Sequence, residues 1–124
     1  MVVRKLVVLS EVAALDVQAA IDHYIEHAGA DVADAFVEAL THAWRHIEMH
    51  PGTGSPRYSL KLDVPGLRSW PAGRFPYLVF YFELPSSISV ERVLHGAMDI
   101  SQVFRAHEPD AEYAVDTAPE WDLS

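Results

Sequence analysis

The sequence predicts an α+β domain of order β-α-α-β-β-β. A small, mostly antiparallel sheet packs on a helical hairpin, followed by a short third helix and an acidic C-terminal tail. Three observations predict it. Residues 11–49 hold two consecutive helical apolar stripes that meet at one glycine. Residues 76–94 hold two apolar runs separated by Pro-Ser-Ser, the pattern of a hairpin. The chain has 124 residues, half of them hydrophobic, which suits one domain with one modest core.

The elements follow in order. "VVRKLVVL" (2–9) is short and rich in β-branched residues, so it reads as a strand. Ser10 can cap the next helix, and Glu11 suits its first turn. Val17, Ile21, Tyr24, Ile25 and Ala28 share one stripe, and Gly29 supplies the stop. Asp31 can cap the second helix, whose stripe is Ala33, Phe36, Val37, Leu40, Trp44 and Ile47. "HPGTG" (50–54) ends it, and "PGTGSPRY" reads as loop. "VPGLRSW" (64–70) is a turn into a short strand. "PYLVFYFEL" (76–84) has the unbroken apolarity of a central strand, and "ISVERVL" (88–94) is its partner. Asp99 with Gln102 three residues on is a variant capping box for the third helix.

Charge and composition exclude several classes. Nine Lys and Arg against 18 Asp and Glu give −9, which argues against a nucleic-acid ligand. Residues 1–104 hold eight basic and 12 acidic residues; residues 105–124 hold one basic and six acidic. The absence of cysteine removes disulfides and thiolate metal sites and fits a reducing compartment. The N-terminal apolar run is short and split by Arg4 and Lys5, unlike a signal peptide or a membrane span. The expectation is a cytoplasmic protein with no membrane contact.

Five segments in this order resemble a known family: "AALDVQAAIDHYIEHAG", "ADAFVEAL", "MHPGTG", "PGLRSWPAGRFPYLVFYF" and "RVLHGAMD". Over residues 2–104 the chain resembles the ParE/RelE superfamily of toxins from type II toxin–antitoxin modules, on the ParE branch. The resemblance implies a toxin domain at 1–104 with the tail, 105–124, outside the usual pattern. It also implies a plasmid-stabilisation type of role, a ParD-like antitoxin partner in a hetero-oligomer, DNA gyrase as target, and no cofactor. RelE-like relatives instead cleave messenger RNA on the ribosome, and one shared fold cannot choose between the two. A degenerate toxin that pairs with its antitoxin and harms nothing is a third reading.

RNA cleavage needs groups to deprotonate a 2′-hydroxyl, stabilise phosphorane charge and protonate the leaving oxygen. The candidates are His95, Arg68 and Arg92, with Lys61 and Arg74 in the same region. Arg68 and Arg92 stand where relatives tend to carry arginines, and His95 where some carry a general acid. The plainer reading makes Arg92 a structural partner of Glu83 or Glu91. By alternation, Ile88, Val90, Arg92 and Leu94 share one strand face, and Ser89, Glu91, Val93 and His95 the other. His95-Gly96 is then a strand end, with Gly96 in a conformation other residues avoid. With only Lys5 and Lys61, the chain lacks the strong basicity of ribosome-binding relatives.

The sheet and hairpin are expected to leave an apolar groove for an antitoxin segment that folds on binding, with Tyr24, Trp44 and Trp70 as anchors. His23 with His27, and His42 with His46 and His50, have helical spacing that suits zinc but point away from the apolar stripes, as solvated histidines do. "GTG" lacks the lysine and the context of a phosphate loop. In the tail, Tyr113, Val115, Trp121 and Leu123 interleave with six acids. That pattern predicts a segment that lies back on the domain, its acids toward Arg57, Lys61, Arg68 or Arg74 and its aromatics in the groove, as a built-in competitor of the antitoxin.

Overall fold

The computed structural model describes residues 5–107. The tail, including Tyr113 and Trp121, lies outside the described residues, so its expected placement does too.

Strand β1 (Leu6–Leu9) leads into helix α1 (Glu11–Ala28) through Ser10, whose side chain accepts a hydrogen bond from Ala13 N and caps the helix. Gly29, at φ 97°, ends α1 and begins α2 (Ala30–Met49). It supplies the N-cap expected of Asp31, which instead stands in the first turn, where its charge suits the helix dipole. The buried stripe is narrower than the apolar one. Phe36, Leu40 and Ile47 are fully packed, whereas Ile25 and Val37 sit at the margin and stay exposed.

After α2 the chain makes one 3-10 turn at Pro51–Thr53 and then helix α3 (Arg57–Leu62), where a loop was expected. Composition misleads here. Tyr58 and Leu62 are four residues apart and both turn onto the sheet, so a single helical turn buries them together. Strands β2 (Arg68–Pro71), β3 (Tyr77–Glu83) and β4 (Ser87–His95) complete the sheet, and α4 (Ile100–His107) closes the described chain. Asp99 Oδ1 accepts from Gln102 N at 3.1 Å, the cap its position predicted.

The strand order is β1-β4-β3-β2. β1 runs parallel to β4, with Leu6 opposite Ser87 and Leu9 opposite Val90; the other pairs are antiparallel. A bulge breaks the β3–β4 register: Phe80 faces Arg92 while Tyr81 faces Val90, which leaves Glu91 unopposed. Simple alternation along β4 therefore fails at Glu91. Ile88, Val90 and Val93 join the core under the helical hairpin, and Leu94 joins a second cluster with Tyr58, Leu67, Phe80 and Ile100. The sheet is covered on one face by α1 and α2 and on the other by α3 and α4.

The bulge also resolves Arg92. Its guanidinium grips Asp16 of α1 through Nε (2.8 Å) and Nη2 (2.9 Å), not Glu83 or Glu91. Glu83 pairs with Lys5, and Glu91 accepts from the Ser89 hydroxyl. Asp16 Oδ2 also accepts from Val93 N at 3.0 Å. β1 pairs with β4 only as far as Val90, so this carboxylate covers the edge that β1 leaves open. On the other side of β1, the buried Glu48 accepts from Val7 N at 3.1 Å. Gly96 does not have positive φ; its amide bonds to Pro76 O and closes an ordinary strand end.

Candidate functional site

An open groove of about 860 Å3 lies between α2 and the β2 strand with its following loop. One wall is α2, where Ala35, Ala39 and Ala43 recur at four-residue spacing beside Val32. Small side chains at that spacing keep the wall low along about 22 Å of helix, from Asp31 to His46. The facing wall is Trp70, Pro71 and Phe75, and the loop at Gly73 comes so close that a Cβ there would lie 3.2 Å from Ala39 Cβ. Asp31 and Glu38 on the helix and Arg74 on the loop put opposite charges on opposite rims.

Trp70 is held by a short chain of contacts. Its ring stacks on His46 with centroids 3.9 Å apart and planes within 12°. The His46 Nε2–H donates to Thr53 Oγ1 at 2.8 Å, and that hydroxyl donates to His50 O at 2.8 Å. His46 is therefore half-buried and engaged, unlike the solvated histidine expected, whereas His42 and His50 are exposed. The 3-10 turn that supplies Thr53 is itself pinned to the sheet. The Tyr81 hydroxyl donates to Pro51 O at 2.7 Å and accepts from Gly54 N at 3.1 Å, and Arg68 Nη1 donates to Gly54 O at 2.7 Å. A Cβ at Gly54 would overlap the Tyr81 hydroxyl, so the close approach requires glycine. Burial pushes the Tyr81 phenol above its ordinary 10.0, with Glu83 adding to the rise and the Gly54 bond and Arg68 opposing it. "MHPGTG" thus works as a bracket that sets the Trp70 wall.

The three aromatics expected to anchor a partner are not equivalent. Trp70 lines the groove. Tyr24 packs inside the domain against Phe36, Phe75 and Tyr77, with centroids 5.2, 5.4 and 6.1 Å away. Trp44 is half-buried against the main core beyond the groove wall.

The residues considered for RNA cleavage do not form a cluster. Arg68 lies opposite Tyr81, and His95 opposite Tyr77, four residues along β3. Arg92 is bound to Asp16 and Arg68 to Gly54 O. His95 Nδ1 accepts from Ala97 N at 3.0 Å, and its ring meets Tyr77 edge-on at 5.2 Å. Among the described residues no three His, Cys, Asp or Glu side chains are placed to hold a metal ion. Lys61 and Arg74 sit on α3 and on the groove loop respectively.

Asp16, Thr53 and Tyr81 were not singled out by sequence. Asp16 did leave a signal: it falls on the face of Ala13, Val17 and Ala20, and an acid within an apolar stripe needs a cationic partner.

Residues 7–100 match the family model described as ParE toxin of type II toxin-antitoxin system, parDE. The chain belongs to the ParE toxin family. No curated protein sequence matches it. Among solved structures, one titled "Chromosomal ParDE TA system from P. aeruginosa" is similar at 22% identity with a TM-score of 0.62, over 74% of this chain and 96% of that one. At that identity the likeness concerns the fold, and the four-stranded sheet with its helical hairpin agrees with it. The ParE family places this chain as the toxin of a two-component module, not with the RNA-cleaving relatives. Among the described residues of this ParE toxin, no helix is long and apolar enough to cross a membrane.

Proposed function

We propose that this ParE toxin acts by binding DNA gyrase, without catalysis of its own, and is neutralised by a ParD-like antitoxin in a cytoplasmic hetero-oligomer. One observation carries the reading over RNA cleavage. Arg92, Arg68 and His95 each already bond within the fold, to Asp16, Gly54 O and Ala97 N, and they come from different registers of the sheet. The antitoxin segment occupies the groove against Trp70, with Tyr24 and Trp44 supporting the walls from inside. A helix with a basic residue toward Asp31 and Glu38 and an acidic one toward Arg74 meets the rim charges.

The test is regulated expression in a bacterial host, followed by assays on purified components. The expected result is growth arrest with filamentation, loss of gyrase supercoiling in vitro, and rescue by the co-expressed antitoxin. A message cut on purified ribosomes by the wild type and left intact by His95→Ala overturns the proposal. Absence of any growth arrest favours the degenerate toxin.

A further inference from the structure

We propose that the outer face of α3 docks a helical segment of a partner protein, one in which a large apolar side chain sits beside two carboxylates one turn apart. Arg57, Leu60 and Lys61 stand at i, i+3 and i+4 and share that face. Leu60 is 85% exposed, the most open large apolar side chain among the described residues. A lone exposed leucine says little, but this one is bracketed by cations. Both cations are held over the ring of Tyr58, 5.4 and 5.8 Å from its centroid. Tyr58 is itself buried, its ring edge-on to Phe80 at 5.1 Å, in the cluster that joins α3 to the sheet. The two positive groups therefore stand on a fixed platform, which lowers the cost of ordering them against a partner.

Charge complementarity selects the occupant. Other cations of the domain are already answered. Lys5 pairs with Glu83 and Arg92 with Asp16, Arg68 donates to Gly54 O, and Arg74 faces Asp31 and Glu38 across the groove. Among the described residues neither Arg57 nor Lys61 has a carboxylate within ion-pair distance, not even Asp63, the left-handed C-cap of α3. Two carboxylates answer these cations, and an apolar side chain beside them covers Leu60. Arg57 and Lys61 are one turn apart, about 6 Å along the helix axis, and carboxylates at i and i+4 of a second helix have the same spacing. A phosphate backbone would answer the cations but leave Leu60 in water, and the net charge of −9 repels it. The face is separate from the antitoxin groove. Tyr58 and Leu62 of α3 pack in one cluster, Leu40 and Ile47 of α2 in the other, on opposite faces of the sheet. A segment on α3 therefore binds while the groove is filled, and this inference depends on neither the gyrase target nor the antitoxin.

The experiment titrates the full chain, made by cell-free synthesis with nitrogen-15, with a synthetic peptide. The peptide is an end-capped, alanine-rich helix of about 16 residues that carries one Glu-Ala-Ala-Leu-Glu unit. The amide signals of residues 57–62 are expected to shift and those of Val32–Ala39 in the groove to stay, with half-saturation at about 1 mM or below. Arg57→Glu with Lys61→Glu weakens binding by about tenfold or more, as reversal of two exposed pairs requires. Both side chains are exposed, so the other amide signals of that variant stay in place. Leu60→Ser weakens binding by about fivefold or more, and a Gln-Ala-Ala-Leu-Gln peptide binds as poorly as the charge variant does. Shifts centred on the Trp70–Phe75 groove, binding that survives the charge variant or Leu60→Ser, or no half-saturation by about 5 mM overturns the proposal. Tighter binding of a DNA oligonucleotide or of anionic lipid vesicles that is indifferent to Leu60→Ser also overturns it, because the face then reads phosphate.

Discussion

Asp16→Ala tests whether Arg92 is part of the fold or part of a reaction. The substitution removes one carboxylate that accepts three hydrogen bonds, from Arg92 Nε at 2.8 Å, Arg92 Nη2 at 2.9 Å and Val93 N at 3.0 Å. The two side chains are only 11% and 13% exposed, so solvent screens the pair weakly and hardly replaces the lost partner. Breaking such a pair from one side costs about 3–5 kcal/mol when it is fully buried; the residual exposure brings the expectation to about 2.5–4 kcal/mol. With a urea m-value of about 1.5 kcal/mol/M, the midpoint falls by roughly 2 M. Arg92→Ala strands the carboxylate less severely, because Val93 N still donates to it. The double variant costs less than the sum of the singles, with a coupling of about 1.5–3 kcal/mol. Urea unfolding of the four proteins measures this. A loss under about 1 kcal/mol for Asp16→Ala, or an additive double variant, refutes the reasoning. Toxicity in this series should follow the folded fraction. A fully folded Arg92→Lys protein without toxicity would put the guanidinium in contact with the target instead.

Tyr81→Phe leaves Gly54 N–H buried without its acceptor and is expected to cost about 1–3 kcal/mol, lowering Tm by ~4–12 °C in a calorimetric scan. Burial raises the phenols of Tyr24, Tyr77 and Tyr81, so the fold holds these protons more tightly than the unfolded chain, whose tyrosines titrate near 10. Stability is complete below about pH 10 and falls as pH rises above it; the fall should be shallower in Tyr81→Phe, as read by urea midpoints across the alkaline range. His95→Ala removes a turn contact to Ala97 and an edge contact with Tyr77, and should leave growth arrest intact. Trp70→Ala empties one groove wall and should weaken antitoxin binding by about 2 kcal/mol or more in calorimetry, while Thr53→Val, which removes the His46 support and the bond to His50 O behind that wall, should cost less.

How much of this was legible beforehand follows from the range of the forces involved. Local periodicity and capping determined the helical hairpin, the β3–β4 hairpin, the Ser10 cap and the Asp99 cap, because those patterns depend on residues three or four apart. Helix α3 was hidden by its Pro, Gly and Ser neighbours, since one turn of helix has no propensity to speak of and forms only because the sheet is there to bury Tyr58 and Leu62. The five segments in order determined the family. The tertiary structure alone decided what the conspicuous residues do. Arg92 finds Asp16, 76 positions earlier, because β1 stops short of Val93 and leaves an edge that a helix carboxylate can cover. Arg68 and Tyr81 converge on Gly54, which turns a loop motif into the bracket behind Trp70. Long-range partners are chosen by strand register, and here the register is set by a bulge at Glu91 that no alternation pattern announces.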